Sequence, residues 1–265
     1  MEVLAFIDHG ANAVVYKIRQ DGKEMVLRIE RIYNREKDPD RDSDEDSDED
    51  SDGDLDFDPH DEPRFRIEFA ILDLIRESKH PLFVPVYTHE ICIVAEKLFK
   101  RTERAFDDYF EPIPPEELVS LLCVPEGHWA TIETMELSGP DLEAALPTLT
   151  GEQKLSAMAQ YALALLFLQG MDITYFDPNP KNITIVKTDT LYIEGDGYRI
   201  ATNGILIKLI DYATSFNEGG RGRDFKGEIN ELLPILIGSR EYFYFTPNQV
   251  LHSMKADYPE IVQSI

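Results

Sequence analysis

Apolar positions recur along this chain with two different periods, and the change from one to the other outlines its elements. Val- and Ile-rich runs at 3–7, 13–18 and 24–30 are broken by Asp8-His9-Gly10 and Gln20-Asp21-Gly22. They predict three strands, the last two joined as a hairpin. From Arg64 to Glu77 the apolar residues fall at 65, 67, 69, 71, 72, 74 and 75, which predicts a helix with one broad buried face. Strands follow at 83–87, 90–95 and 129–137, and Glu111-Pro112-Ile113-Pro114-Pro115-Glu116 marks a loop leading into a short helix. The Ala- and Leu-rich run from Glu152 to Gln169 predicts a mostly buried helix. Strands at 183–187, 191–194 and 204–210 and a helix from Asp224 to Ile237 complete the pattern. A β-rich first part and a helical second part predict an α+β fold of two lobes with a cleft between them.

Length and composition change this picture little. With 265 residues, 43% of them hydrophobic, the chain can build one large domain or two lobes. No apolar run reaches the ~18 residues of a membrane span, and no basic-then-apolar leader opens the sequence, so a soluble, non-secreted protein is expected, cytoplasmic or nuclear. Cys92 and Cys123 stand in apolar surroundings, which predicts buried free thiols in a reducing compartment rather than a disulfide or a metal pair.

Charge is more telling. The formal net charge is −25, and residues 34–63, with 16 acidic and 3 basic side chains, carry −13 of it. The run from Asp42 to Asp54 is low-complexity and self-repelling, so disorder is expected there. Asp48, Asp50, Asp52 and Gly53 match the first positions of a calcium loop, but its twelfth position is Pro59, which excludes that site. Ser43, Ser47 and Ser51 each precede an aspartate by three positions, a pattern similar to acid-directed phosphorylation sites. Such acidity disfavours direct nucleic-acid binding and suits a basic partner, such as a histone-like tail.

The candidate chemistry lies in Tyr175-Phe176-Asp177-Pro178-Asn179-Pro180-Lys181-Asn182 and in Ile207-Lys208-Leu209-Ile210-Asp211-Tyr212-Ala213. An aspartate, an asparagine five positions on, and a second aspartate behind an apolar strand are the polar groups of phosphoryl transfer. One carboxylate orients a hydroxyl; the amide and the other carboxylate hold Mg²⁺. The first group resembles the protein-kinase catalytic loop H-R-D-L-K-P-x-N and the second resembles D-F-G. The D-Y form and the long strand-bearing stretch between Asn182 and Asp211 are similar to haspin-type kinases.

The resemblance extends towards the N-terminus. Asp8-His9-Gly10-Ala11-Asn12-Ala13-Val14-Val15 is similar to the Gly-rich loop, of whose three glycines Gly10 alone is kept, and implies nucleotide contacts at Gly10, Ala11 and Val15. Met25-Val26-Leu27-Arg28-Ile29 resembles V-A-I-K, with Arg28 in the place of lysine, and Glu68 resembles the helix glutamate that holds it. His80-Pro81-Leu82-Phe83-Val84 is similar to the family's H-P-x-I-V turn. Met135-Glu136-Leu137-Ser138 looks like the interlobe hinge, implying adenine contacts from Met135, Glu136 and Ser138 and lobes at 1–137 and 138–265. Tyr175 and Phe176 replace the histidine and arginine of the catalytic loop, Asn179 replaces its lysine, and Lys181 is a candidate substitute. Asp224 resembles the aspartate that braces the loop; no A-P-E follows.

Taken together, the resemblance implies a divergent, haspin-like serine/threonine protein kinase of reduced C-terminal lobe, of the kind found in large DNA viruses, so a host cell or virion location is implied too. It would act as a monomer on a protein substrate, with ATP and Mg²⁺. Asp177 would orient the hydroxyl, Asn182 and Asp211 would hold the metal, and Arg28 with Glu68 would align the phosphates. Two alternatives stay open. One is a pseudokinase scaffold, suggested by the changes at Asp8, Arg28, Phe176, Asn179 and Ala213. The other is an inositol-phosphate-type kinase, for which Arg221, Arg223 and Lys226 are the available basic residues.

Overall fold

The computed structural model describes residues 1–9, 13–32, 59–61, 63–100, 112–174, 179–211, 216–217 and 246–265. The acidic run with its serines, and the helix expected at Asp224–Ile237, lie outside them. The fold is mixed α+β, its sheets mostly antiparallel. The chain divides into two compact units: 1–66 with 86–137, and 67–85 with 138–265. The division falls between Leu137 and Ser138, inside the hinge-like segment. It departs from a plain N- and C-terminal partition in grouping Ile67–Pro85 with the second unit. Among the described residues no helix is long and apolar enough to cross a membrane.

The first unit is built on one five-stranded sheet in the order β1-β2-β3-β5-β4. Its strands are β1 (Glu2–His9), β2 (Ala13–Gln20), β3 (Lys23–Arg31), β4 (Val86–Val94) and β5 (His128–Glu136). Asp21 and Gly22 both have positive φ, 52° and 78°, as the tight turn between right-twisted strands requires. Alternation then sorts the faces. Val14, Tyr16, Ile18, Met25, Leu27, Ile29, Ala130 and Ile132 point to a core closed by Leu98, Phe99, Ile113, Leu118 and Leu121. The last three come from Ile113 and the turns at Pro115–Leu118 (α2) and Val119–Leu121. The expected strands at 83–87 and 90–95 are a single strand, β4. Leu82, Phe83 and Val84 are instead a buried turn, because Pro81 and Pro85 bracket them.

Cys92 and Cys123 correct an expectation. They form a disulfide, with Cα atoms 5.2 Å apart. Cys123 is exposed and Cys92 half-buried, so neither is the buried thiol that its apolar neighbours predicted. Cys92 packs at the margin of the core, opposite Ala130, and long-range backbone pairing brings Cys123 to it. Val124 N–H donates to Ile93 O (2.9 Å) and Ala95 N–H to Leu121 O (2.9 Å), laying the 121–124 segment beside the end of β4.

The second unit is organised around α4 (Gly151–Gly170), which starts at a capping box between Thr150 and Gln153. Ser156 to Leu165 are buried without a gap, as in a helix packed on all sides. The unit also holds α1 (Pro63–Ser78, from Ile67 onward), α3 (Leu142–Ala145), which packs on β7, and α5 (Pro247–Asp257), which packs on α4. β6 (Ile173–Thr174) pairs with β11 (Phe216–Asn217), and β7 (Ile183–Lys187) pairs with β10 (Ile205–Leu209). A three-stranded sheet joins β8 (Tyr192–Gly195), β9 (Tyr198–Ala201) and β12 (Val262–Ser264). β9, α5 and β12 have no counterpart in the sequence expectations.

Candidate active site

The second unit brings the two expected metal-holding residues to the same end of one ribbon. β7 and β10 pair antiparallel with Ile183 opposite Leu209 and Ile185 opposite Ile207. Asn182, just before β7, and Asp211, just after β10, therefore emerge at the same end of the ribbon. A backbone hydrogen bond from Ile210 N–H to Asn182 O (2.9 Å) closes that end. Asp211 has φ +61°, a left-handed conformation that is uncommon for a non-glycine residue. Strain of this kind concentrates where a side chain must be aimed.

Each partner is held from its own side. Asn179 organises the approach to Asn182: its side-chain Oδ1 accepts from Lys181 N–H (3.0 Å), and its carbonyl accepts from Asn182 N–H (2.8 Å). Asn179, aligned with a phosphate-touching lysine, therefore works as a cap. Lys181 is 67% exposed and reaches Glu143 at 3.8 Å. Asp177 lies outside the described residues, as do Gly10 and Ala11, and so do Tyr212, Ala213, Asp224, Arg221, Arg223 and Lys226.

Asp211 depends on β10, whose outer edge would expose unpaired backbone groups to an apolar interior. Gln160 of α4 prevents this. Its Oε1 accepts from Ile207 N–H (2.9 Å), and its Nε2 donates to Ile205 O (3.1 Å) and Ser156 Oγ (2.9 Å). Ser156 in turn donates to Ala201 O (2.6 Å). A side-chain amide thus stands in for a neighbouring strand. One step further on, Leu209 N–H donates to Leu82 O (2.9 Å) and Val84 N–H to Leu209 O (3.0 Å). The turn that makes these bonds is steadied by His80, whose Nδ1 accepts from Leu82 N–H (3.4 Å). The His80 ring packs on Phe167 at 4.3 Å and Phe83 at 5.3 Å. Burial pushes it down to about pH 4, so the ring is neutral in the fold.

Ser138, matched to the hinge, also belongs to this framework. Its hydroxyl shares a hydrogen bond with Thr184 (2.6 Å), and Ile185 N–H donates to Pro140 O (2.8 Å). The 138–141 segment runs so close to β7 that a Cβ at Gly139 would lie 1.8 Å from Ile185 O. Only glycine fits this crossing.

In the first unit, Val15, Arg28 and Met135 share the face of the sheet opposite the core. Val15 stands opposite Arg28, Arg28 opposite Glu133, and Val26 opposite Met135. Arg28 pairs with Glu30 at 2.5 Å and with Glu133 at 3.4 Å. Glu136 ends β5 opposite Met25, and its charge, after burial, helps to raise the Tyr87 phenol. Glu68, the expected partner of Arg28, is almost fully buried on α1. Neither Glu133 nor Gln160 figured among the expected residues. A polar stripe at Gln153, Ser156 and Gln160, inside an otherwise apolar helix, was the signal for the second. Glu133 had no local signal, because its partner is 105 positions away.

Among the described residues no three His, Cys, Asp or Glu side chains converge as a metal cluster. No protein-family model matches the chain, and no curated protein matches it.

Proposed function

We propose that the chain is an ATP-dependent serine/threonine protein kinase of a divergent, haspin-like kind. The observation that carries this is the emergence of Asn182 and Asp211 at one end of the β7–β10 ribbon, closed by the Ile210 N–H to Asn182 O bond, with Asp211 held at positive φ. Asp177 orients the substrate hydroxyl and takes its proton as the oxygen bonds to the γ-phosphorus and the bond to ADP breaks. An amide and a carboxylate suit a hard divalent cation, so Asn182 and Asp211 would hold Mg²⁺, which would supply positive charge against the phosphates. Arg28 contributes positive charge to the phosphates. The net charge of −25 favours a basic protein substrate.

Asp211→Asn tests the assignment. It should abolish Mg²⁺-dependent phosphotransfer while leaving the melting temperature within a few degrees. Undiminished phosphotransfer would remove the kinase reading. A second reading, a nucleotide-free scaffold, is favoured by one observation: Arg28 is already engaged by two carboxylates. A wild-type protein that gains no thermal stability from Mg²⁺-ATP and transfers no phosphate would support it.

A further inference from the structure

We infer that the Cys92–Cys123 disulfide is a reversible redox latch: a dithiol reductant opens it in the folded protein, and opening releases the 121–124 segment from the end of β4. The inference lies wholly within the first unit and does not depend on the kinase reading. Three observations carry it. First, β4 is an edge strand, with β5 on one side only. Near its end the other side is covered by 121–124, through the bonds from Val124 N–H to Ile93 O and from Ala95 N–H to Leu121 O. The disulfide ties the two chains together beside those bonds. Second, the cysteines differ in access: Cys123 is exposed, while Cys92 is half-buried at the core margin. Third, Cys123 has φ +49°, a left-handed conformation uncommon for a non-glycine residue, so the covering segment is held in a shape that release relieves.

Exposed disulfides are the labile ones, whereas enclosed structural ones resist thiols. One thiolate of the reductant attacks the Cys123 sulfur; the S–S bond breaks, and Cys92 leaves as a thiolate that takes up a proton. The reductant's second thiolate then attacks the reductant sulfur of the mixed disulfide, and Cys123 leaves in the same way. Two electrons pass to the protein, and the reductant ends as a disulfide. What remains keeps the unit folded, because the stretch before the latch has anchors of its own. Ile113, Leu118 and Leu121 are buried in the core. Tyr16 Oη accepts from Ile113 N–H (3.1 Å) and donates to Ile113 O (3.4 Å), and Lys97 pairs with Glu117 at 2.5 Å. From Leu122 to Gly127, by contrast, no residue is buried, so the Val124 bond and the disulfide are the main attachments of that stretch to β4. Opening is therefore local, and it uncovers Ile93 O and Ala95 N–H at the edge of the sheet.

The experiment treats the full chain with dithiothreitol at neutral pH without denaturant, counts thiols by alkylation and mass spectrometry, and reads hydrogen exchange at single amides in both states. Both cysteines should become alkylated. In the reduced protein the Ala95 and Val124 amides should exchange within about tenfold of an unstructured peptide, and at least about tenfold faster than in the oxidised protein. The Leu27 and Ile132 amides, in the paired central strands β3 and β5, should stay slowed by about a thousandfold or more. Removing the reductant and adding glutathione disulfide should restore the bond and the protection. Serine at both 92 and 123 should show the reduced pattern and no response to oxidant. Reduction that requires denaturant would make the bond a structural staple and overturn the inference. So would reduced protein whose Ala95 and Val124 amides stay protected, or whose Leu27 and Ile132 amides lose protection as well. A dithiol form that glutathione disulfide cannot close again would overturn it too.

Discussion

Replacing Gln160 by methionine keeps the length of the side chain and deletes its hydrogen bonding. Three bonds are lost: those to Ile205 O and Ser156 Oγ, and the one from Ile207 N–H. Gln160 is fully buried, so water cannot replace them. Ser156 keeps its bond to Ala201 O, whereas Ile207 N–H and Ile205 O lose the amide that served the outer edge of β10. An unsatisfied buried group costs about 1–3 kcal/mol, and the more apolar side chain returns roughly 1 kcal/mol. The expected net loss is about 2–4 kcal/mol, or roughly 5–15 °C in melting temperature for a chain of this size. Gln160→Glu should be worse, since it turns a carboxylate oxygen towards the Ile205 carbonyl in a buried site. Urea denaturation gives the free energy, and hydrogen exchange at the Ile207 amide locates it. A Gln160→Met midpoint equal to that of wild type, with Ile207 equally protected, would refute the strand-substitute role.

Two further outcomes follow from single features. Serine at both 92 and 123 should cost about 3–4 kcal/mol, given a chain separation of 31 residues and the loop-closure estimate; identical melting of this variant and oxidised wild type would contradict the bond. The acid limb of stability should carry a histidine step. The His80 ring, pushed down to about 4 from an unfolded value near 6.5, contributes fully above pH 6.5, and that contribution is lost as pH falls through about 4. After discounting for the ring's partial exposure the step amounts to about 2 kcal/mol. His80→Asn should flatten it, and an unaltered acid limb would show that the proton goes elsewhere.

Local pattern and long-range pairing were not equally legible in the sequence. Alternation and the Asp21-Gly22 turn placed β1, β2 and β3 within two residues of their observed ends, because a strand's period and a tight turn are set by neighbours. The 152–169 helix was equally visible in its run of strong helix formers. β12 was not, since three residues pairing with Ile200 and its neighbours 62 positions earlier have no periodicity of their own. The site divides in the same way. Asn182 and Asp211 stand out by residue type and order, while Glu133 and Gln160 act on partners that only tertiary pairing supplies. Cys92 and Cys123 show the limit most plainly: apolar neighbours describe local burial, and the partner that makes the bond is 31 positions away.

The same bond turns the connection between β4 and β5 into a covalent ring. A protease cutting once between residues 93 and 122 would leave two fragments that still travel as one species. They would co-migrate with the intact chain on a non-reducing gel and separate only after a thiol is added. Nicked protein would then pass size-based purification unnoticed. Mass spectrometry of the unreduced sample would register the cut as the gain of a single water.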